Sequence, residues 1–80
     1  MASNHPLRWM PRITHLDIYE ARESDYDDGV YSRDQDFDTE ADALKRIAQI
    51  RKNDPAVRDS TFLLMAHYND GSMRFLPGEY

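Results

Sequence analysis

The sequence predicts a small α+β domain in which a four-stranded, mostly antiparallel sheet carries one helix on one face. Two segments before residue 38 and two after residue 60 show the extended, turn-bounded patterns that are typical of strands. The segment between them has apolar residues at helical spacing. A chain of 80 residues holds one domain, 1–80, so the predicted order of elements is ββαββ.

The first two strands are predicted at residues 12–20 and 30–37, as a hairpin with a long acidic loop. In the first strand Leu16 and Ile18 fall on one face, and His15, Asp17 and Tyr19 fall on the other. Strict alternation in the second strand puts one set of side chains on each face: Tyr31, Arg33, Gln35 and Phe37 on one, and Ser32, Asp34 and Asp36 on the other.

The helix is predicted to begin after Thr39, because Thr39 followed by Asp42 resembles a capping box. Leu44, Ile47 and their neighbours at helical spacing then form an apolar stripe. Asn53 is a candidate left-handed terminus, and the proline two residues later prevents the helix from continuing.

The last two strands are predicted at residues 60–68 and 72–76, joined by a turn at Asn69, Asp70 and Gly71. Residues 61–66 are apolar on both faces, which favours a central strand covered on both sides. The helix covers one face. An irregular N-terminal arm, residues 1–11 with Leu7 and Trp9, or a partner protein, is expected to cover the other.

The composition excludes several classes of protein. With no cysteine, the chain has no disulfide framework, no thiolate zinc site and no cysteine nucleophile. No segment approaches the roughly 18 to 20 apolar residues of a membrane span, and no secretory signal is visible at the N-terminus. We therefore expect no membrane partner and a cytoplasmic location, the host-cell cytoplasm if the protein is phage-encoded.

No catalytic, cofactor or metal-binding motif is visible in the sequence, so we expect no enzyme activity, no cofactor and no metal. Asp34, Asp36 and Asp38 have the spacing of a calcium loop, but Thr39 replaces its glycine and Lys45 its glutamate. His15 and His67 both lie in predicted strands, on faces that could be neighbours. Histidines so placed are more often ordinary strand residues than ligands.

The acidic charge is concentrated in residues 20–40, which contain nine acidic and two basic residues, a net −7 in a chain of −5. Alternate strand residues lie about 6.6 Å apart, close to the spacing of nucleic-acid phosphates, so carboxylates in a row could occupy a Lys- and Arg-lined groove. Direct binding to nucleic acid is not expected, because the charge has the wrong sign. The predicted partner-binding residues are Glu23, Asp25, Tyr26, Asp27, Asp28, Tyr31, Asp34, Asp36 and Asp38.

The sequence resembles the small phage-encoded anti-CRISPR proteins. The resemblance lies in the acidic hairpin of residues 20–38, the helix start at residues 37–40, and the turn Asn69-Asp70-Gly71, together with the size, acidity and lack of cysteine. It implies an inhibitor of a type I CRISPR surveillance complex, with subtype I-C as the suggested target. Such an inhibitor binds a basic DNA-recognition surface on an effector subunit and blocks the loading of target DNA.

A second hypothesis comes from a different class of protein. The chain could be a small oligomerising interaction module, such as an antitoxin or an assembly adaptor, that binds through an apolar sheet face. A solvated acidic face that only keeps the protein soluble also remains open. The sequence does not give the oligomeric state, although a monomer is favoured. The surface that binds, acidic hairpin or sheet face, distinguishes the two functional hypotheses.

Overall fold

The fold confirms the predicted α+β class and the ββαββ order. The structure, a computed structural model, describes residues 11–22 and 29–80, so nearly all of the predicted arm lies outside the described residues. The elements are β1 (Ile13–Arg22), β2 (Gly29–Phe37), α1 (Glu40–Asn53), β3 (Thr61–Tyr68) and β4 (Met73–Phe75), with a short 3₁₀ turn at Pro55–Val57.

The four strands form one antiparallel sheet in the order β2-β1-β3-β4. This order places β1 and β3 in the centre, and the helix carries the chain from the edge strand β2 across to β3. A central position explains why β3 is apolar on both faces, as the sequence predicted. Gly71 has φ 88° in the turn before β4, a conformation that glycine adopts without strain.

Helix α1 covers one face of the sheet. Its buried side chains are Ala43, Ile47 and Ile50, and they pack against a cluster of fully buried strand residues: Ile18, Phe62 and Leu64. At the start of the helix, the Thr39 hydroxyl accepts a hydrogen bond from the Asp42 N–H at 3.1 Å, which confirms the predicted cap.

The helix does not end as the sequence predicted. Asn53 lies within the helix, and the C-cap is Asp54, whose φ of −128° is extended rather than left-handed. The Asp54 carboxylate accepts a hydrogen bond from the Ala56 N–H and so begins the following 3₁₀ turn. The chain therefore changes direction through a second cap rather than through a left-handed residue.

The last residues close the core beside the helix. Tyr80 exchanges two backbone hydrogen bonds with Phe62, at 2.8 and 2.9 Å, which extends the pairing along β3 beyond the end of β4. The Tyr80 hydroxyl donates to Glu40 in the first turn of α1, at 2.9 Å. The Arg51 guanidinium donates to the backbone oxygens of Ser60 and Tyr80. The end of the chain is thus tied to both ends of the helix.

Strand β2 departs from strict alternation. Its register with β1 shifts twice, because Leu16 pairs with Phe37, Ile18 with Asp34, and Tyr19 with Ser32. Each shift adds one residue to β2 opposite β1, which is a β-bulge. The two faces predicted by alternation are therefore wrong for this strand: Asp34 and Phe37 share the face of the helix, and Asp34 and Asp36 do not form one row.

Candidate functional site

Asp34, the acidic residue in the middle of β2, is neutralised by an arginine. The bulge turns the Asp34 carboxylate towards α1, where it accepts a hydrogen bond from Arg46 at 2.8 Å. The neighbouring Arg33 pairs with Asp54 at the end of α1, at 3.1 Å. These contacts hold β2 against the middle and the C-terminal end of the helix, and they leave the middle of the strand without a net acidic surface.

Glu20 belongs to the interior and not to the acidic surface. Its residue is 1% exposed, and its carboxylate accepts hydrogen bonds from the Ser60 hydroxyl at 2.9 Å and from Arg22 at 3.0 Å. Arg33 lies 3.7 Å away on the same carboxylate. A buried carboxylate with this many donors is a structural group, because the surrounding cations and hydroxyl replace the water that it lost.

Exposed carboxylates remain at the far end of β2, where the strand leads into the helix. We call this surface the acidic end; its residues are Asp36, Asp38, Glu40 and Asp42, and all four are exposed. The Asp36 side chain is 82% exposed. Within residues 11–22 and 29–80, neither Asp38 nor Asp42 makes an ion pair, so the acidic end presents charge that these described residues leave largely uncompensated.

The predicted partner-binding residues fall into separate groups. Five of them lie outside the described residues, between β1 and β2: Glu23, Asp25, Tyr26, Asp27 and Asp28. Tyr31 lies at the start of β2, 45% exposed, with the Arg22 guanidinium 5.3 Å from the centre of its ring. Asp34 is in the paired middle of the strand, and Asp36 and Asp38 are in the acidic end. The carboxylates of β2 therefore do not form the continuous row that alternation predicts.

A cluster of histidines and aspartate lies on the face of the sheet opposite the helix, where cross-strand pairing brings His15 beside His67. We call His15, Asp17 and His67 the histidine cluster. The two imidazole rings stack with their centroids 4.1 Å apart, and His67 Nε2 lies 2.6 Å from Asp17 Oδ2. One ligand atom from each of the three residues falls within 4.8 Å of the others. The cluster has the donor types of a metal site.

Two neighbouring groups fix the orientation of this cluster. The Thr14 hydroxyl donates to the His67 backbone oxygen at 3.2 Å and lies 3.0 Å from His15 Nδ1. On the other side, the Asp36 N–H donates to Asp17 Oδ1 at 3.1 Å. Asp36 can do so because the bulge places it at φ 69°, the one positive φ among the described non-glycine residues.

The remainder of this face is apolar and largely uncovered by the described part of the chain. We call it the open face; its residues are Tyr19, Leu63, Met65, Met73 and Phe75. Met73 is 59% and Phe75 is 42% exposed, and the ring of Tyr19 meets the edge of Phe75 at 5.4 Å. A sheet with a helix on only one side leaves such a face for another surface to cover.

The sequence raised His15 and His67 as possible neighbours, which the strand pairing confirms, but it did not join Asp17 to them and it missed the pairing of the acidic residues. Alternation correctly placed His15 and Asp17 on one face of β1, but bringing His67 beside them requires the strand order. Likewise, no local pattern announces the two bulges that turn Asp34 towards Arg46. The sequence did contain one signal that some of the charge is paired. Arg33 lies in the same strand as Asp34 and Asp36.

Among residues 11–22 and 29–80, no helix is both long enough and apolar enough to cross a membrane. No family model, curated protein or solved structure was found to match the chain.

Proposed function

We propose that the protein is an acidic binding protein that inhibits a nucleic-acid-binding complex by occupying its basic DNA-recognition surface. A type I CRISPR surveillance complex is the proposed target, with subtype I-C tested first. The observation that carries this proposal is the acidic end, where exposed carboxylates follow one another from the end of β2 into the first turn of α1.

The arrangement of charges supports an interaction surface more than a merely solvated face. Glu20 and Asp34 are held by arginines, so the fold compensates the acids that it buries or half-buries. The acids of the acidic end stay exposed at alternate positions of the chain. Arg46 of the helix pairs with Asp34. Arg51 and Lys52 lie in the last turn of the helix, away from the acidic end. A compact negative surface of this kind complements a Lys- and Arg-rich groove.

Such a surface would act chiefly through electrostatics. Opposite potentials accelerate encounter between the partners, and the carboxylates then compete with DNA phosphates for the same cations. The five predicted binding residues between β1 and β2 add four carboxylates and a tyrosine to the same hairpin. The proposed interface therefore consists mainly of the acidic end, and the predicted binding residues in 23–28 are its secondary part.

The direct test is an inhibition assay with purified type I surveillance complexes and labelled target DNA. We expect the protein to reduce DNA loading in proportion to its occupancy of the complex, and we expect added DNA to displace it. If the complex binds the protein while loading DNA normally, the site is not the DNA-recognition surface. If no type I complex binds it, the proposed target is wrong.

The open face favours a second candidate, an oligomerising module whose occupant is a second copy of the chain. Exposed Met73 and Phe75 are the observation in its favour. Sedimentation across a range of protein concentrations tests it, because a Phe75→Lys variant should abolish self-association if the open face is the interface. A chain that remains monomeric at high concentration would exclude this candidate.

A further inference from the structure

We propose that the histidine cluster, with Asp36 as the fourth ligand, binds one divalent transition-metal ion, with Zn²⁺ the best fit. This site goes beyond the proposed inhibitory function, and it departs from the expectation of no metal that the sequence motifs led to. The proposed ligand atoms are Nε2 of His15, Nε2 of His67, Oδ2 of Asp17 and Oδ1 of Asp36.

The set of donors has the chemistry of a zinc site. Imidazole nitrogens suit Zn²⁺ and other late first-row ions, whereas Mg²⁺ and Ca²⁺ prefer sites made of oxygen alone. Two imidazoles and two carboxylates make four ligands, which is the usual number for Zn²⁺. The two aspartates also balance the charge of the ion, so the loaded site carries no net charge if both imidazoles are neutral.

The spacing of the cluster requires small adjustments on binding. With ligand bonds of about 2.0–2.2 Å, two ligand atoms of one ion lie no more than about 4.4 Å apart. The three residues of the histidine cluster have ligand atoms within 4.8 Å of one another, and the contact between His67 and Asp17 is 2.6 Å, so the longest distance must shorten and the shortest must lengthen. Asp36, 3.9 Å from His15 Nε2, lies outside that group of three and must turn its carboxylate towards the ion. The ion takes the place of the proton that now lies between His67 and Asp17.

Thr14 prepares His15 to act as a ligand. The Thr14 hydroxyl has one proton and donates it to the backbone oxygen of His67, so towards His15 Nδ1 it acts as an acceptor. This contact suits the tautomer of His15 that a metal ligand needs, with the ring proton on Nδ1 and the lone pair on Nε2. Nε2 faces Asp36 Oδ1 at 3.9 Å, too far for a hydrogen bond. A histidine ligand whose other nitrogen donates to an oriented acceptor is the usual arrangement around a metal.

Asp17 and Asp36 are also held in place by hydrogen bonding, since the Asp36 N–H donates to Asp17 Oδ1. The Asp17 side chain is only 7% exposed, and one of its oxygens is held by the Asp36 N–H while the other faces His67. The hydrogen bond with His67 accounts for the burial of Asp17. It does not explain why the bulge holds Asp36 at positive φ with its carboxylate beside His15. Coordination of one ion by all four residues accounts for both features.

The stacked rings are the part of the site that must move. Nearly parallel imidazoles 4.1 Å apart, at an interplanar angle of 11°, cannot both point a lone pair at the same ion. One ring must tilt about its terminal torsion, which is a soft degree of freedom. The His15 side chain is 36% exposed and has room to do so, whereas His67 is more deeply set at 20%. We therefore expect His15 to reorient.

The test is titration of the full-length, untagged chain with Zn²⁺ by calorimetry and with Co²⁺ by absorption spectroscopy. We expect one ion per chain and the intense visible bands of four-coordinate Co²⁺. NMR spectra of the imidazole groups should show the resonances of His15 and His67 shifting when Zn²⁺ is added, whereas Mg²⁺ and Ca²⁺ should leave them unchanged.

Variants distinguish this site from adventitious binding. His15→Gln should weaken Zn²⁺ binding at least about tenfold, and Thr14→Val, which touches no proposed ligand atom, should weaken it about 10- to 100-fold. His5→Gln is the matched control and should change nothing. Urea unfolding of each metal-free variant checks the fold, and His15→Gln, on an exposed side chain, is expected to remain folded.

Two results would overturn the proposal. The first is the absence of saturable Zn²⁺ binding to the wild-type chain at millimolar concentration. The second is binding that His15→Gln leaves intact or that His5→Gln removes, since either would place the ion elsewhere.

Discussion

The hydrogen bond from the Tyr80 hydroxyl to Glu40 makes the stability of the protein depend on the ionisation of Tyr80. Chiefly because its hydroxyl donates to the Glu40 carboxylate, the pKa of Tyr80 is raised above its ordinary value of 10.0. The neutral form is therefore favoured in the folded protein. The resulting stabilisation is present below the pKa of the unfolded chain and is lost as the pH rises through the folded-state pKa.

Replacing Glu40 should therefore lower the pKa of Tyr80. We expect Glu40→Gln to move it back towards 10.0, because the acceptor becomes neutral. Spectrophotometric titration measures this shift, and subtracting the curve of Tyr80→Phe isolates Tyr80 from the other four tyrosines. An unchanged curve in Glu40→Gln would mean that this hydrogen bond does not form in solution.

The pKa of Asp70, in the turn between β3 and β4, is shifted in the opposite direction, below its ordinary value. Hydrogen bonds from the Ser72 hydroxyl and then from the Ser72 N–H lower the pKa of Asp70. Its contribution to stability is present above the pKa of the unfolded chain and is lost as the pH falls through the lower, folded-state pKa. Ser72→Ala should raise the pKa of Asp70, because the hydroxyl donor is lost. NMR titration of the Asp70 carboxyl carbon measures this shift. A titration curve that superimposes on that of the wild type would contradict the turn geometry.

At the scale of elements, the helix stripe should carry most of the packing energy. Ile47 is 2% exposed within the core cluster, so Ile47→Ala should reduce the free energy of unfolding by about 2–5 kcal/mol. Lys45→Ala, on the exposed side of the same helix, is the matched control and should change it by about 0.5 kcal/mol or less. Urea titration compares them, and equal effects would mean that the stripe is not the core.

The bulge in β2 gives a second prediction at this scale. A β-branched residue at the positive φ of Asp36 is strained, so Asp36→Val should destabilise the protein by about 1–2 kcal/mol more than Asp36→Gly does. Gln35→Val, next to it in the same exposed edge strand, controls for the change in side chain. Should the two substitutions at residue 36 have equal stability in urea, the left-handed conformation would be wrong.

The sequence predicted the elements well because each rests on a local signal. Thr39 and Asp42 mark the start of α1, Gly71 marks the second hairpin, and the doubly apolar β3 indicates a central strand. The pairing within the candidate site could not be predicted in the same way. Alternation fails in β2 because two bulges change which residues share a face, and at one of them Asp36 donates a hydrogen bond to Asp17 in another strand.

At the scale of the whole molecule, the described residues pair some carboxylates with arginines and leave others exposed. The arginines compensate the carboxylates that hold β2 against the helix, while the acidic end keeps its charge exposed. This distribution places the proposed electrostatic interface at the acidic end, and the acidic residues of 23–28 are its predicted extension. The binding energy should therefore depend on the position of the acids as well as on their number.

The measurement that tests this account most directly compares two double variants of equal net charge. Asp36→Lys with Asp38→Lys reverses charges in the acidic end, and Asp59→Lys with Glu79→Lys reverses two exposed acids elsewhere. Affinity for the surveillance complex is measured at two salt concentrations, with circular dichroism as the check on folding. We predict that only the first variant loses binding strongly, and that wild-type binding falls as salt rises, mainly through a slower association rate. Equal losses in the two variants, or none in the first, would contradict an interface at the acidic end.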